Sequence, residues 1–189
     1  REKIELWHHD VDGRESTLMD WPVTANYCRA VAAAFDLPLY FSWKEGGFER
    51  EMLRDNTPTA RNFFETPNGL RTIGGASSKL GTRKRFPQVS SDLSVRWCSA
   101  YLKIDVASSA LNNQDRFLER RTLFVTGERA QESAARARYK VLEPHRTDRR
   151  AGTRKFRHVD HWRPIHAWSE EQVWKIIEAH HVRAHPAYD

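Results

Sequence analysis

The chain has 189 residues, 39% of them hydrophobic and 11% aromatic, and a formal net charge of +6. That apolar content supports a packed core and excludes a disordered or collagen-like chain, and no apolar run approaches the ~18 residues of a membrane-spanning helix. The basic balance favours an anionic partner such as a nucleotide, a nucleic acid or a sulfated metabolite, although a solvated surface accounts for it as well.

Ile4–His8 alternates toward apolar residues and runs into the turn-rich His8-His9-Asp10-Val11-Asp12-Gly13, the pattern of a strand leaving a sheet. Asp20 as N-cap and Pro22 in the first turn predict a helix with Val23, Tyr27, Ala30, Val31 and Ala34 at helical spacing. It ends at Asp36-Leu37-Pro38, and Leu39–Trp43 follows as a second strand. Strand, helix, strand is a βαβ unit, which implies parallel strands and a right-handed crossover.

Residues 44–95 read as irregular apart from a short helix over Phe48–Arg54. The stretch Thr66–Pro87 is rich in Gly, Pro, Ser and Thr and carries Lys79, Arg83, Lys84 and Arg85, a loop long enough to suggest a functional role. Trp97–Leu111 predicts a helix, and Thr122–Thr126 a third strand ending at Gly127. Arg146–Arg157 holds six Arg or Lys against one Asp and predicts a solvated basic loop. Trp162–Ile165 reads as a fourth, short strand. Ser169-Glu-Glu-Gln172 then opens a helix with a capping box.

The sum is an α/β fold, a doubly wound, mainly parallel sheet with helices on both faces, in a single domain over residues 1–189. Ligands are expected at the carboxyl ends of its strands. The start at Arg1 and the untapered end at His185-Pro-Ala-Tyr-Asp189 lead us to expect a fragment truncated at both ends.

Thr126-Gly-Glu-Arg129-Ala-Gln-Glu132-Ser133-Ala-Ala-Arg136 is the most informative segment. It puts a guanidinium at the ligand edge of a parallel sheet, where a planar fork grips phosphate or sulfate oxygens bidentately. Glu128 or Glu132 would hold Arg129 in place; the plainer reading is a turn with surface ion pairs. Cys98, beside Arg96 near a helix start, is either a lowered-pKa thiolate or, more commonly, a buried inert thiol. With only Cys28 besides it, a disulfide framework and any all-cysteine metal site from this chain alone are excluded, and the cytoplasm is the default location.

His8-His9-Asp10-Val11-Asp12 with His158-Val-Asp160-His161 invites a metal reading. The spacing fits no ligand pattern, so we expect no protein-ligated metal and expect the Asp residues to order the backbone or hold a ribose. Gly74-Gly75-Ala-Ser77-Ser78-Lys79 lacks the strand and the ending of a Walker motif and reads as a flexible loop.

Together these segments resemble the phosphoadenosine-phosphosulfate (PAPS) reductase family of the PP-loop adenine-nucleotide α-hydrolase superfamily. The pieces that carry the resemblance are Trp97-Cys98 with Leu102-Lys103, then Thr126-Gly-x-Arg129-x-x-Glu132-Ser133, and the tail segments Arg163-Pro-Ile, Trp168–Trp174 and His185-Pro-x-Tyr188. The resemblance implies an adenine-nucleotide α-hydrolase-like sheet whose first strand and phosphate-gripping PP-loop lie upstream of Arg1. It places Lys103 and Arg129 as catalytic cations at the phosphate or sulfate end of the nucleotide, and His9, Asp10 and Asp12 beside the adenosine. Glu132, Ser133 and Arg136 complete the implied nucleotide-binding set.

The family's reductases attack with a cysteine near the C-terminus, and no cysteine follows Cys98 here. The insertion at 66–87 and the basic loop at 146–157 are more like the ATP pyrophosphatases of the superfamily that work beside cysteine desulfurases, including those of DNA phosphorothioation. The implied function is therefore conversion of ATP to AMP and pyrophosphate, with Mg²⁺, in a sulfur-transfer pathway. A PAPS or adenylyl-sulfate reductase, with PAPS as ligand, and a non-enzymatic nucleic-acid-binding subunit are the alternatives. Implied partners are an adenine nucleotide, DNA through the basic loops and a cysteine desulfurase, with no membrane.

Overall fold

The computed structural model describes residues 3–75, 79–90, 92–152 and 154–189. The chain divides into two units, Arg1–Ala110 with His185–Asp189, and Leu111–Ala184.

In the first unit, β1 (Leu6–Asp10) pairs in parallel with β2 (Leu39–Lys44) across α1 (Thr24–Ala34), as the βαβ reading expects. The helix starts later than Asp20 suggests: Val23 is the N-cap and makes no side-chain cap bond. Asp20 instead accepts hydrogen bonds from Trp21 N at 2.8 Å and Thr24 Oγ1 at 2.8 Å, ordering the approach to the helix rather than its first turn. A short α2 (Gly47–Leu53) follows.

The stretch read as irregular holds a hairpin. β3 (Asn62–Thr66) and β4 (Gly69–Ile73) pair antiparallel, and β3 pairs antiparallel with β2, giving the order β1-β2-β3-β4. Aromatic and β-branched residues on both arms flank Pro67-Asn68-Gly69, and Gly69 supplies the positive φ of 102° that such a turn favours. One pair in this sheet is parallel and two are antiparallel, so the sheet is mixed rather than mainly parallel.

The predicted helix over Trp97–Leu111 is present in three pieces: α3 (Trp97–Ser99), a π-helical turn over Ala100–Ile104, and α4 (Asp105–Asn112). Trp97, Leu102 and Phe48 are buried together, with Val11, Met52, Cys98 and Tyr101 packed around them. Phe48 and Trp97 stack with centroids 5.0 Å apart. Burial of such aromatic area contributes apolar stabilisation to this unit.

In the second unit, β5 (Arg121–Val125) pairs in parallel with β7 (His158–Trp162), and β6 (Leu142–Pro144) pairs antiparallel with β7. The last strand therefore begins four residues before the expected Trp162. α5 (Glu170–Ala179) has the predicted capping box: Gln172 N donates to Ser169 Oγ at 3.2 Å and Ser169 N to Gln172 Oε1 at 2.8 Å. Both units are α/β with mixed sheets.

Candidate functional site

Four backbone and side-chain bonds shape the turn at the carboxyl end of β1. Asp12 is buried, and its carboxylate accepts Met19 N and Asp20 N, each at 2.9 Å. Asp10 Oδ1 accepts Asp12 N at 3.0 Å, and Phe48 N donates to Val11 O at 2.8 Å. Gly13 (φ 74°) and Gly47 (φ 47°) cross so closely that a Cβ on Gly13 would lie 2.5 Å from Gly47 N. Only glycine fits either position.

The result is a cleft of about 200 Å³ lined by residues that include His8, Asp10, Arg14, Asp20, Trp21 and Thr24. Its charge is acidic: Asp10, Asp12 and Asp20 face one guanidinium, Arg14, which packs over Phe41 at 4.7 Å and Trp43 at 5.0 Å. His8 is held neutral, its pKa lowered chiefly by burial, and lies 3.5 Å through Nδ1 from Cys28 Sγ. His9 lies beyond the cleft lining, 2.6 Å through Nδ1 from Ser42 Oγ. Burial, aided by His8 and Lys103, pushes its pKa down to about 4.

Lys103 is exposed on the π-helical turn, and its charge acts on both His8 and His9. The turn closes with Asp105 N donating to Ala100 O, a five-residue step in place of four. Such widened turns recur at functional sites. Of the residues expected here, Asp10 and Asp12 line the cleft, while His9 and Lys103 lie outside its lining.

The remaining expected residues form a second cluster in the other unit, on the loop after β5. The Arg129 side chain is 15% exposed, with Nε 3.7 Å from Glu132 Oε1 and Nη1 donating to Gln131 Oε1 at 3.3 Å. Glu132 also meets Arg136 Nη1 at 2.5 Å, so one carboxylate spans both arginines. Ser133 Oγ accepts Arg136 N at 3.2 Å and shapes the loop. Of the two acids expected to hold Arg129, Glu132 does so.

Glu128 belongs to a network that spacing alone does not reveal. Arg163, with a side chain 7% exposed, donates Nε to Glu128 Oε2 at 2.6 Å, and Nη1 to Glu143 Oε1 and Lys140 O, both at 2.8 Å. Its Nη2 lies 3.0 Å from His161 Nδ1, which must accept because guanidinium only donates. His161 Nε2–H then donates to Thr126 Oγ1 at 2.7 Å, and Thr126 donates to Glu128 Oε2 at 3.0 Å. His145 packs on Phe124 and His161, and burial pushes it down to about 4. The sequence signal available for this network was Arg163-Pro-Ile.

Cys98 packs against the hydrophobic core, and burial raises the Cys28 thiol above its usual range. The glycine-rich segment runs into residues 76–78, outside the described residues; Gly74 and Gly75 have positive φ. The loop expected to be solvated over Arg146–Arg157 is partly structural. Arg157 is buried and donates to Leu111 O, Thr147 O and Asn112 Oδ1, while Arg150 bridges Asp148 and Asp160. Among the described residues no group of three or more His, Cys, Asp or Glu is placed to hold a metal ion, and no helix is long and apolar enough to cross a membrane.

A family model described as the phosphoadenosine phosphosulfate reductase domain matches residues 54–189. The matched region contains Lys103, Arg129, Glu132, Ser133 and Arg136; His9, Asp10 and Asp12 precede it. No curated protein and no solved structure gives a significant match.

Proposed function

Because the chain belongs to the phosphoadenosine phosphosulfate reductase domain family, we propose that it activates a sulfur-transfer substrate with ATP, releasing AMP and pyrophosphate. The family membership carries nucleotide use in sulfur-related chemistry; the choice of ATP cleavage is our reading. One observation favours it over reduction of PAPS. Of the two cysteines in these residues, Cys98 is partly buried against the core cluster and burial raises Cys28, so neither is presented as an activated thiolate.

The chemistry asks for cations. An acceptor oxygen attacks the α-phosphorus, the new P–O bond forms, the bond to the α,β-bridging oxygen breaks, and pyrophosphate leaves with its charge. A sulfur nucleophile then breaks the bond between the acceptor and AMP and frees AMP, whereas with no acceptor present water attacks the α-phosphorus and gives AMP directly. Positive side chains held in place before reaction stabilise that charge without reorganising. In this reading Lys103, on its widened helical turn in the first unit, is a phosphate-facing cation; in the second unit Arg129, steadied by Glu132 and with Ser133 and Arg136 supporting its loop, is another. His9, Asp10 and Asp12 belong with the nucleoside end, Asp12 as the buried organiser of the turn. Mg²⁺ would enter with the nucleotide, bound mainly by its phosphates, and would supply further positive charge to the departing pyrophosphate. A doubly wound nucleotide-binding sheet, a cytoplasmic location, a cysteine desulfurase partner and DNA as the sulfur acceptor complete the proposal.

Incubating the protein with ATP and Mg²⁺ tests it. AMP and pyrophosphate in equal amounts are the expected products. Thioredoxin-dependent sulfite release from PAPS, with no pyrophosphate from ATP, overturns it.

A further inference from the structure

The loop ahead of α1 is anchored firmly and yet holds an indole in solvent. Buried Asp12 fixes Met19 and Asp20, and Asp20 fixes Trp21 N and Thr24 Oγ1. At the end of that chain of bonds Trp21 is 60% exposed on the wall of the β1 cleft, next to Pro22. An exposed large aromatic on a pinned backbone has unused stacking surface.

The rest of the lining says what would cover it. Asp10 accepts one hydrogen bond through Oδ1, and Asp20 accepts its two through Oδ1. Each carboxylate therefore keeps an oxygen to which no described residue donates. Three carboxylates against Arg14 repel a polyphosphate and attract N–H and O–H donors. The volume, about 200 Å³, is below the ~300 Å³ at which whole-ligand pockets begin, so it takes one part of a nucleotide.

We infer that Trp21 is the stacking platform for the base of the bound nucleotide, and that the open oxygens of Asp10 and Asp20 receive its amino and ribose hydroxyl donors. This rests on the nucleotide reading above and assigns side chains to the choice of base: Trp21 stacks on it, and the facing carboxylates accept an amino-bearing purine and reject one with a carbonyl in that place. A carbonyl oxygen facing a carboxylate leaves two acceptors without a proton between them.

Titration calorimetry of the intact protein with adenosine, inosine and ATP tests the inference. Adenosine should bind and compete with ATP, and inosine should bind at least about tenfold more weakly. Trp21→Ala should weaken adenosine and ATP alike by about 5- to 150-fold, the range of one base–aromatic stack, while Trp21→Phe stays within about fivefold of wild type. Asp20→Asn, whose amide can donate to a carbonyl, should narrow the adenosine-to-inosine ratio, and this holds as a readout even where Trp21→Ala does not fold. ATP binding that is unchanged in a folded Trp21→Ala variant, or equal affinity for inosine and adenosine, overturns the inference and leaves the nucleotide reading standing. Failure of the wild-type protein to bind ATP overturns both.

Discussion

Arg163 Nε lies 2.6 Å from the Glu128 oxygen that Thr126 also reaches, so one buried guanidinium fixes the first turn after β5. Removing it leaves Glu143 and Lys140 O without this donor and Glu128 with Thr126 alone. Arg163→Met is expected to lower stability by roughly 3 kcal/mol, the scale of a broken buried pair, read from the urea midpoint. Arg163→Lys should recover less than half, because an ammonium cannot reproduce the fork. A loss under ~1 kcal/mol would show the network to be incidental.

Arg129 is expected to behave differently. Its loss leaves Glu132 paired with Arg136, so Arg129→Ala should unfold at nearly the wild-type midpoint. Nucleotide binding should weaken by about ten- to a hundredfold, the equivalent of one charge-assisted hydrogen bond of ~1.5–3 kcal/mol, and Arg129→Lys should not restore it. Wild-type ATP affinity in the folded variant would remove Arg129 from the proposed site.

Acid should destabilise the fold before its carboxylates titrate. His9 and His145 both fall from the usual 6.5 to about 4, burial being the main cause. Between pH 6.5 and about 4 the unfolded chain binds protons that the folded chain refuses, so stability falls with pH by up to ~1.4 kcal/mol per unit for each group. Below about 4 this contribution is already lost. The Glu128 carboxyl adds a later loss: burial pushes it up, but Arg163 and Thr126 more than offset this and hold it below 4.5. His145→Asn, whose amide oxygen can still accept Thr147 N, should flatten the histidine slope in urea titrations at pH 7, 6 and 5.

The basic loop separates into two kinds of arginine. Arg157→Ala should cost about 2–4 kcal/mol by stranding Leu111 O and Thr147 O in the interior. Replacing exposed Arg149, Arg154 and Lys155 together should leave stability within ~0.5 kcal/mol. If these three carry DNA contact, the same variant lowers the salt slope of DNA binding by about 0.9 per contact. An unchanged slope would leave them as solvated charge.

Gly13→Ala should be among the most damaging single changes. A Cβ there meets Gly47 N at 2.5 Å and Lys44 O at 2.8 Å, with φ at 74° besides. Strain and clash together should cost at least ~2 kcal/mol and abolish binding at the β1 cleft. A variant as stable as wild type would mean that the crossing opens easily.

Elements with a strong local signal were legible. The βαβ start, the helix around Trp97 and the Ser169 capping box all follow from periodicity or cap chemistry. The β3–β4 hairpin did not, because its Pro67-Asn68-Gly69 turn sits in a stretch whose overall Gly, Pro, Ser and Thr content reads as loop. β6 is three residues ending in proline, too short for any period to register. At the site, Asp12 was legible as a backbone organiser, since a buried carboxylate at a strand end must find N–H donors. The Arg163–Glu128–His161 network was not, because its members meet only through strand pairing across some 35 residues.

The π-helical turn makes the helix around Lys103 sensitive to length. Trp97 and Leu102, both fully buried, are five residues apart, whereas Leu102, Val106 and Ala110 follow at intervals of four. The extra residue shifts the phase between an entry that packs on Phe48 and an exit that turns Val106 and Ala110 inward. Deleting one residue between Ala100 and Lys103 would restore a regular α-helix, but it would also rotate everything beyond by about 100° and draw it back by about 1.5 Å. Either the inward face of α4 or the bearing of Lys103 would then be lost. Substitutions in this segment should therefore be far better tolerated than a change in its length.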